Sequence, residues 1–435
     1  MRCSIVGPGA DKAVREVGGE NVRPMPRVGV VFADLSDGQT LRLISLGFHV
    51  RPVQDVSIQQ VTAPPAPPHM VGPSLTGEQI LDMSRFTELV ASLDPPITGR
   101  GIGVTICILD SGIRETHEGL RGKVVYTENF SNSPTPTDLF DHGTGVAWMA
   151  AGGVEDAAGF RGYASPQGFA PGCWLMNMKV LDDDGTSTEE VVVAALERVA
   201  QLWEQYPPVN FPRGYSPEPM RPNIVNLSLG SPDTGDPYNP VRVACRALDA
   251  RNIGVVAAAG NVGPDPQTIT NPAVEATVLA VGSVDTELQV PEWSSRGPTR
   301  EGLIKPDVSF FGVNLVTASA KSDTAYRNVS GTSFSCGAAS GGVAVLGELV
   351  VRAIGMTPLT SEVMGITPTI TRKPVGAPSD KDNDWGWGVP YGDLVVQQLQ
   401  RLAPVAAMGN LMDLVSPVIT LAMLGMMARA FTLRR

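Results

Sequence analysis

VTICILDSGI, residues 104–113, is an apolar run from Val104 to Leu109 that stops at an acid, Asp110, and turns at Ser111 and Gly112. A run of strand length that is apolar on both faces, rather than at alternate positions, belongs to a strand buried on both faces. The same pattern recurs at Trp174 to Val180, Ile224 to Leu229, Gly254 to Ala259 and Thr277 to Val281. Between these runs lie helix-like stretches near 142–151, 187–205, 240–251 and 332–352. Strands of this kind alternating with helices predict an α/β fold of three layers, a mostly parallel central sheet flanked by helices. Ligands of such sheets gather at the carboxyl ends of the strands. Asp110, the segment Ser228-Leu229-Gly230, and Gly260 with Asn261 each follow a predicted strand and so converge on one edge.

Two further stretches carry chemistry. DHGTGVA (141–147) contains His142, and SGTSFS (330–335) contains Ser333. An acid, an imidazole and a hydroxyl are what a serine nucleophile needs, because the hydroxyl is inert until a base takes its proton and an acid orients that base. Singly, each residue has a plainer explanation. Asp110 could open a turn with Ser111 and Gly112, His142 could cap a helix, and Ser333 could be the N-cap of the helix that follows. The chain has four histidines, His49, His69, His117 and His142. Two of them precede the predicted catalytic region, and His117, in the turn RETHEG, reads as a surface residue. A serine at a helix N-terminus also lies where unpaired N–H groups and the helix dipole would stabilise a developing oxyanion.

Together these stretches resemble the subtilisin-like serine peptidases. Asp, His, Ser is that family's catalytic order, and DSGI, HGTGVA and SGTS match its signatures. GFAPGCWLMNMKVLDDDG, NIVNLSLG, VVAAAGN, and WSSRGP with KPDV are similar to its intervening segments, so the likeness runs over roughly 97–350 and continues to WGWGVPYGDLV. The resemblance implies that Asp110 orients the imidazole, His142 acts as base and then acid, and Ser333 attacks the scissile carbonyl. It further implies that Asn261 and the Ser333 backbone N–H receive the oxyanion. Ser228, Leu229 and Gly230 would pair with an extended substrate, and Ala259 and Gly260 would line the adjoining pocket. The expected partners are therefore protein or peptide substrates. No cofactor is required for this chemistry.

Departures from the family pattern occur at three places. Gly145 stands where a second histidine is common, Gly337-Ala338 where Pro-His is common, and Gly119 where a calcium-ligand aspartate is common, so calcium is unsupported at its usual position. The run Asp380, Asp382, Asn383 and Asp384 lacks a calcium-loop spacing and reads as a solvated acidic loop. Two other enzyme readings fall away. An α/β-hydrolase esterase predicts G-x-S-x-G, whereas Gly331 to Ser335 read GTSFS, and the glycines of GRGIGV (99–104) precede their strand instead of following it as a dinucleotide loop would.

Composition sets the limits of the rest. The 435 residues include 33 Lys plus Arg against 44 Asp plus Glu, a net charge of -11, which argues against a nucleic-acid or anionic-membrane surface. Cys3, Cys107, Cys173, Cys245 and Cys336 form no metal or redox spacing and are expected as buried free thiols. The uncharged stretch from Cys3 to Ala10 is short and interrupted by Gly7, Pro8 and Gly9, so no secretory signal is read and a cytoplasmic location is expected. The sequence divides into an extension at 1–26, an α+β unit at 27–61, a proline-rich linker at 62–76, the catalytic domain at 77–398, and a hydrophobic tail at 399–435. The unit at 27–61, with Ser36 or Asp37 as N-cap and Gly47 as helix stop, resembles the small propeptide that templates and inhibits this family. That likeness predicts self-cleavage in or near 62–76. The tail's uncharged run, Leu414 to Ala428, is too short for a span of about 20 residues and suits a peripheral contact with membrane or protein. The insert YPPVNFPRGYSPEPMRP, just after Glu204 and Gln205, reads as a surface loop. A competing reading from another class is a catalytically silent peptide-binding protein on the same fold.

Overall fold

The computed structural model describes residues 1–58, 74–92, 100–154, 164–206, 221–354 and 360–398. Most of the proline-rich linker, the body of the insert and the whole C-terminal tail lie outside these residues.

The chain begins with β1 (Arg2–Val6), α1 (Ala10–Glu16), β2 (Glu20–Met25), β3 (Val30–Asp34), α2 (Asp37–Ser45) and β4 (His49–Pro52). They form a four-stranded sheet in the order β2-β3-β1-β4. The boundary expected at residue 27 therefore cuts through one sheet: β1 and β2, read as an extension, both pair with β3. The apolar face of β1 is short, Cys3 and Ile5 against α1 and α2, too brief to show as periodicity. Ser36 caps α2 through a capping box with Gln39, and Gly47 follows with φ 91°.

A short strand, β5 (Asp55–Ser57), leads away from this unit, and the chain resumes at α3 (Gly77–Met83) and α4 (Phe86–Ala91). The large sheet uses β6 (Thr105–Asp110), β7 (Val124–Asn129), β10 (Trp174–Lys179), β12 (Ile224–Leu227), β13 (Gly254–Ala258), β14 (Leu279–Val284) and β15 (Val308–Phe311). Its order is β15-β14-β13-β12-β6-β10-β7, and every pairing is parallel. Helices α5 (Gly143–Ala151) and α8 (Thr332–Ile354) cover one face, and α6 (Glu189–Gln205) and α7 (Pro240–Asp249) the other. Strand side chains alternate between the two resulting cores: Ile106 and Ile108 pack on the α5–α8 side, Cys107 and Leu109 on the α6–α7 side. Each such side chain contributes about 1.5–3 kcal/mol on burial, which is why apolar residues occur on both faces of each run. Smaller pieces complete the chain: the ribbons β8 (Gly153–Val154) with β9 (Ala164–Gln167), β16 (Leu315–Ala318) with β17 (Tyr326–Val329), and β18 (Thr371–Arg372) with β19 (Val389–Pro390), strand β11 (Thr186–Thr188), and α9 (Thr360–Ile370).

The departures noted in the sequence have packing causes. A Cβ on Gly337 would lie 2.8 Å from the Val146 carbonyl oxygen, so α8 meets α5 with no room for a larger residue. Gly145 similarly faces Phe334 and Thr317. The space beside Gly119 is taken by the Trp148 indole, whose Nε1 would lie 2.9 Å from a Cβ there. His117, expected at the surface, is fully buried. Its Nδ1 accepts the Gly119 N–H at 3.2 Å, so Nε2 carries the proton and donates to the Ala325 carbonyl at 2.9 Å. The five cysteines are buried and free.

Candidate active site

Asp110 ends β6, beside Lys179 at the end of β10. Its Oδ1 accepts the Ser111 N–H at 2.7 Å and faces His142 Nδ1 at 2.8 Å. That contact fixes the imidazole tautomer: Nδ1 carries the proton toward the carboxylate, and Nε2 is left with its lone pair. Both side chains are buried. The approach depends on Gly143, where a Cβ would lie 2.3 Å from the Gly112 carbonyl oxygen and 3.0 Å from Asp110 Cβ.

A second acid holds the histidine loop. Asp138 Oδ1 accepts from Ser111 Oγ (2.9 Å) and the Asp141 N–H (2.8 Å), and Oδ2 from the Thr144 N–H (2.9 Å). Ser111 Oγ in turn accepts the Gly143 N–H at 3.0 Å. Burial pushes the Asp138 carboxyl up from its ordinary value, opposed by the Thr144 and Ser111 bonds. Lys179, fully buried, donates to the Ser111 carbonyl at 2.6 Å and to Asp183 at 2.8 Å. These are the partners a buried ammonium requires. It ties the Asp110 turn to the sheet.

Ser333 lies in the first turn of α8, with its hydroxyl donating to the Ser228 carbonyl at 3.4 Å. Ser228 answers by donating its own hydroxyl to the Ser333 carbonyl at 3.0 Å, which fixes the end of β12 against the start of α8. Asn261 Oδ1 accepts both the backbone N–H and the hydroxyl of Thr332, each at 2.9 Å. A backbone N–H can only donate, so the atom facing it must be the amide oxygen, and the amide NH₂ is turned the other way. His142, Asn261 and Ser333 line one cavity of about 390 Å³, together with Phe140, Asp141, Arg327 and Phe334. A smaller pocket adjoins it, lined by Ser228, Leu229, Gly230, Ala258, Gly260, Thr270 and Ser333. Ala259, expected on that wall, is fully buried in the α6–α7 core, with its carbonyl accepting the Thr270 N–H at 3.0 Å. The strand alternation sends Ala258 to the pocket in its place. Sequence reasoning missed Thr270, which crowds Gly230 so closely that a Cβ there would lie 2.7 Å from Thr270 Oγ1.

The edge Ser228-Leu229-Gly230 already carries a strand. Ser57 exchanges both backbone bonds with Gly230, at 3.1 and 3.0 Å, and β5 also pairs antiparallel with β11, Val56 opposite Ser187. The Ile58 N–H donates to the Gly185 carbonyl at 3.1 Å, and Ile58 lines the large cavity. Residues 55–58 thus lie as a middle strand between two catalytic-domain segments.

Neither metal reading gains a site. Among the described residues no cluster of His, Cys, Asp and Glu could hold a metal ion. In the 380–384 loop a cation is supplied by the chain itself. The Lys373 ammonium donates to the Pro378 carbonyl at 3.1 Å, to the Asp380 carbonyl at 2.6 Å and to the Asp382 carboxylate. The glycine loop before β6 is likewise filled from within, since Glu348 accepts the Arg100 and Gly101 N–H groups at 2.9 Å where an anionic ligand would bind.

Comparison with known proteins agrees with this geometry. Serine protease AprX of Bacillus subtilis (strain 168) is 32% identical over 229 residues, 50% of this chain and 48% of the relative. Subtilisin-like protease PopC of Myxococcus xanthus (strain DK1622) is 33% identical, over 54% of this chain and 49% of the relative. The membrane-bound transcription factor site-1 protease of Homo sapiens is 29% identical, over 58% and 21%. The chain spans about half, or less, of the length of these curated relatives. The subtilase family model matches residues 101–388, from the loop before β6 to the turn before β19, and on that match the chain belongs to the subtilase family.

Proposed function

We propose that the protein is a serine endopeptidase in which Ser333 is the nucleophile, His142 the general base and then acid, and Asp110 the orienting carboxylate. The observation that carries this is the 2.8 Å contact between His142 Nδ1 and Asp110, in a cavity shared with Ser333 and Asn261. With Nδ1–H held by Asp110, Nε2 takes the Ser333 proton as Oγ attacks the carbonyl carbon. The oxyanion so formed accepts from the Asn261 amide and the Ser333 backbone N–H. Collapse breaks the C–N bond, the amine leaves with the proton from Nε2, and water then attacks the acyl-enzyme by the same route. The 3.4 Å bond from Ser333 to the Ser228 carbonyl is a resting contact, since catalytic hydrogen bonds commonly tighten only with substrate bound.

Substrate binds as residues 55–58 do, as a strand added between β11 and the 228–230 edge. The N-terminal unit is then a propeptide whose end occupies the cleft it inhibits. The Ser57–Gly230 pair sets the register. Residues 55–58 hold that edge up to Ile58, so self-cleavage is proposed beyond them, in or near 62–76. Intact-mass analysis tests this. The expected result is a wild-type chain shortened by a cut in or near 62–76 and a Ser333→Ala chain left whole. A wild type that hydrolyses protein substrates while remaining intact would remove self-processing, and a folded wild type with no hydrolysis would favour the binding-only reading.

A further inference from the structure

The turn that presents His142 is held from outside the large sheet. Asp141, the residue before it, has φ 69°, a left-handed conformation that carries a cost for any residue with a Cβ and persists only where its surroundings impose it. Here the β16–β17 ribbon imposes it. Thr317 and Arg327 stand opposite each other across the two antiparallel strands, and Ser319 follows two residues after Thr317, so the three side chains share one face of the ribbon. That face grips the histidine turn at both ends. Arg327 Nη2 donates to the Asp141 carbonyl, and its Nε lies 3.4 Å from the Asp141 carboxylate. Ser319 Oγ donates to the same carboxylate at 3.0 Å, and the Ala320 N–H donates to it as well. Thr317 Oγ1 donates to the Gly145 carbonyl at 2.7 Å. His142 therefore lies between two carbonyls, those of Asp141 and Gly145, that are fixed by a cross-strand pair. The same ribbon leads to the nucleophile. Strand β17 ends at Val329, and the N–H of Gly331, two residues before Ser333, donates to the Gly312 carbonyl at 2.9 Å. Asp141, His142, Arg327 and Ser333 all line the large cavity. The placement of the base is thus tied to that of the nucleophile through one ribbon, and Arg327 is its charged contact with the histidine turn.

We propose that Arg327 is a positioning residue, which through Asp141 holds His142 where its imidazole can take the Ser333 proton. This rests on the peptidase reading above, and the experiment separates the two. Arg327→Met keeps an unbranched side chain and removes every donor, whereas Arg327→Lys keeps a charged donor for Asp141. Wild type and both variants are assayed on one internally quenched peptide. Active sites are counted by complete reaction with a fluorophosphonate probe, and rates are given per labelled site. Misplacing a catalytic group by about 1 Å costs on the order of 10²-fold. Arg327→Met is accordingly expected to lower kcat per labelled site by at least about tenfold, with KM within about threefold of wild type. Arg327→Lys is expected to regain at least about threefold of that loss. An Arg327→Met enzyme with fewer labelled sites but wild-type kcat at each would overturn the proposal, because Arg327 would then serve folding alone. A change confined to KM would also overturn it, by making Arg327 a contact to substrate. So would an Arg327→Lys enzyme no better than Arg327→Met. If Arg327→Met does not fold, Arg327→Gln, which loses charge and reach but keeps a polar side chain, takes its place in the same comparison. A folded wild type that takes up no probe would instead refute the peptidase reading.

Discussion

Asn261 illustrates how little freedom the cleft leaves its residues. Its amide oxygen is committed to Thr332, which turns the NH₂ the other way and leaves it for the oxyanion role proposed above. Asn261→Ala should lower kcat by about 10²–10³ with KM little changed, the cost measured for removing such a donor in a subtilase; steady-state kinetics on one peptide would check it. Asp110→Asn should lower kcat by about 10⁴ at neutral pH, because an amide no longer fixes the proton on Nδ1. The residues proposed to react could be singled out because a serine-peptidase reading demands particular residue types in a particular order, and the structure brings two of them, His142 and Asp110, within 2.8 Å. Asp138, Lys179 and Thr270 were not, since each acts through a hydrogen bond or a close approach made by distant segments. Ala259 shows the limit of positional analogy, because one step of strand alternation moved the pocket wall to Ala258.

At the scale of elements, the sheet is clamped below the site by a buried ion cluster. Asp307 accepts the Ala280 N–H at 2.7 Å and pairs with Lys305 (2.6 Å) and Lys381 (2.7 Å), joining β14, β15 and the 380–384 loop. Burial acts to raise the Asp307 carboxyl, but the two ammonium groups outweigh it and hold it below its ordinary value. The unfolded chain therefore binds the proton first as pH falls. The cluster's stabilisation is present above about pH 4 and is lost as pH drops through the lower folded value. Asp307→Asn should destabilise by about 3–5 kcal/mol, since it strands buried charge, as denaturant melts at pH 7 would show. Gly337→Ala should cost about 1–3 kcal/mol by forcing α8 from α5. The central strands were readable from runs apolar on both faces. β7 was missed because its residues Val124 to Asn129 are only partly buried at the sheet edge, where Thr127 and Glu128 break the pattern.

Across the whole molecule, the N-terminal unit docks on α6 through charge. Arg2 grips Glu190 with two bonds of 2.7 and 2.6 Å, Arg27 pairs with Glu197 and Glu204 at 3.0 and 2.9 Å, and Arg51 reaches Glu189 at 3.1 Å. Glu197 also accepts the Arg27 and Val28 backbone N–H groups, so its removal would leave donors unpaired on the other side. If the unit is cut off as proposed, Glu197→Ala should speed its release by about tenfold or more, seen as a shorter lag before full activity. The partly exposed pairs should make that lag shorten further with added salt. The sequence showed the unit's later half, where a capping box and a glycine stop mark α2, but not that β1 completes its sheet.

The most direct test is fluorophosphonate labelling of the purified protein, mapped by peptide mass in wild type, Ser333→Ala and His142→Ala. Labelling confined to Ser333, absent from Ser333→Ala and at least about a hundredfold slower in His142→Ala, is the predicted result. Labelling of folded wild type at another residue, or at Ser333 with no dependence on His142, would contradict it.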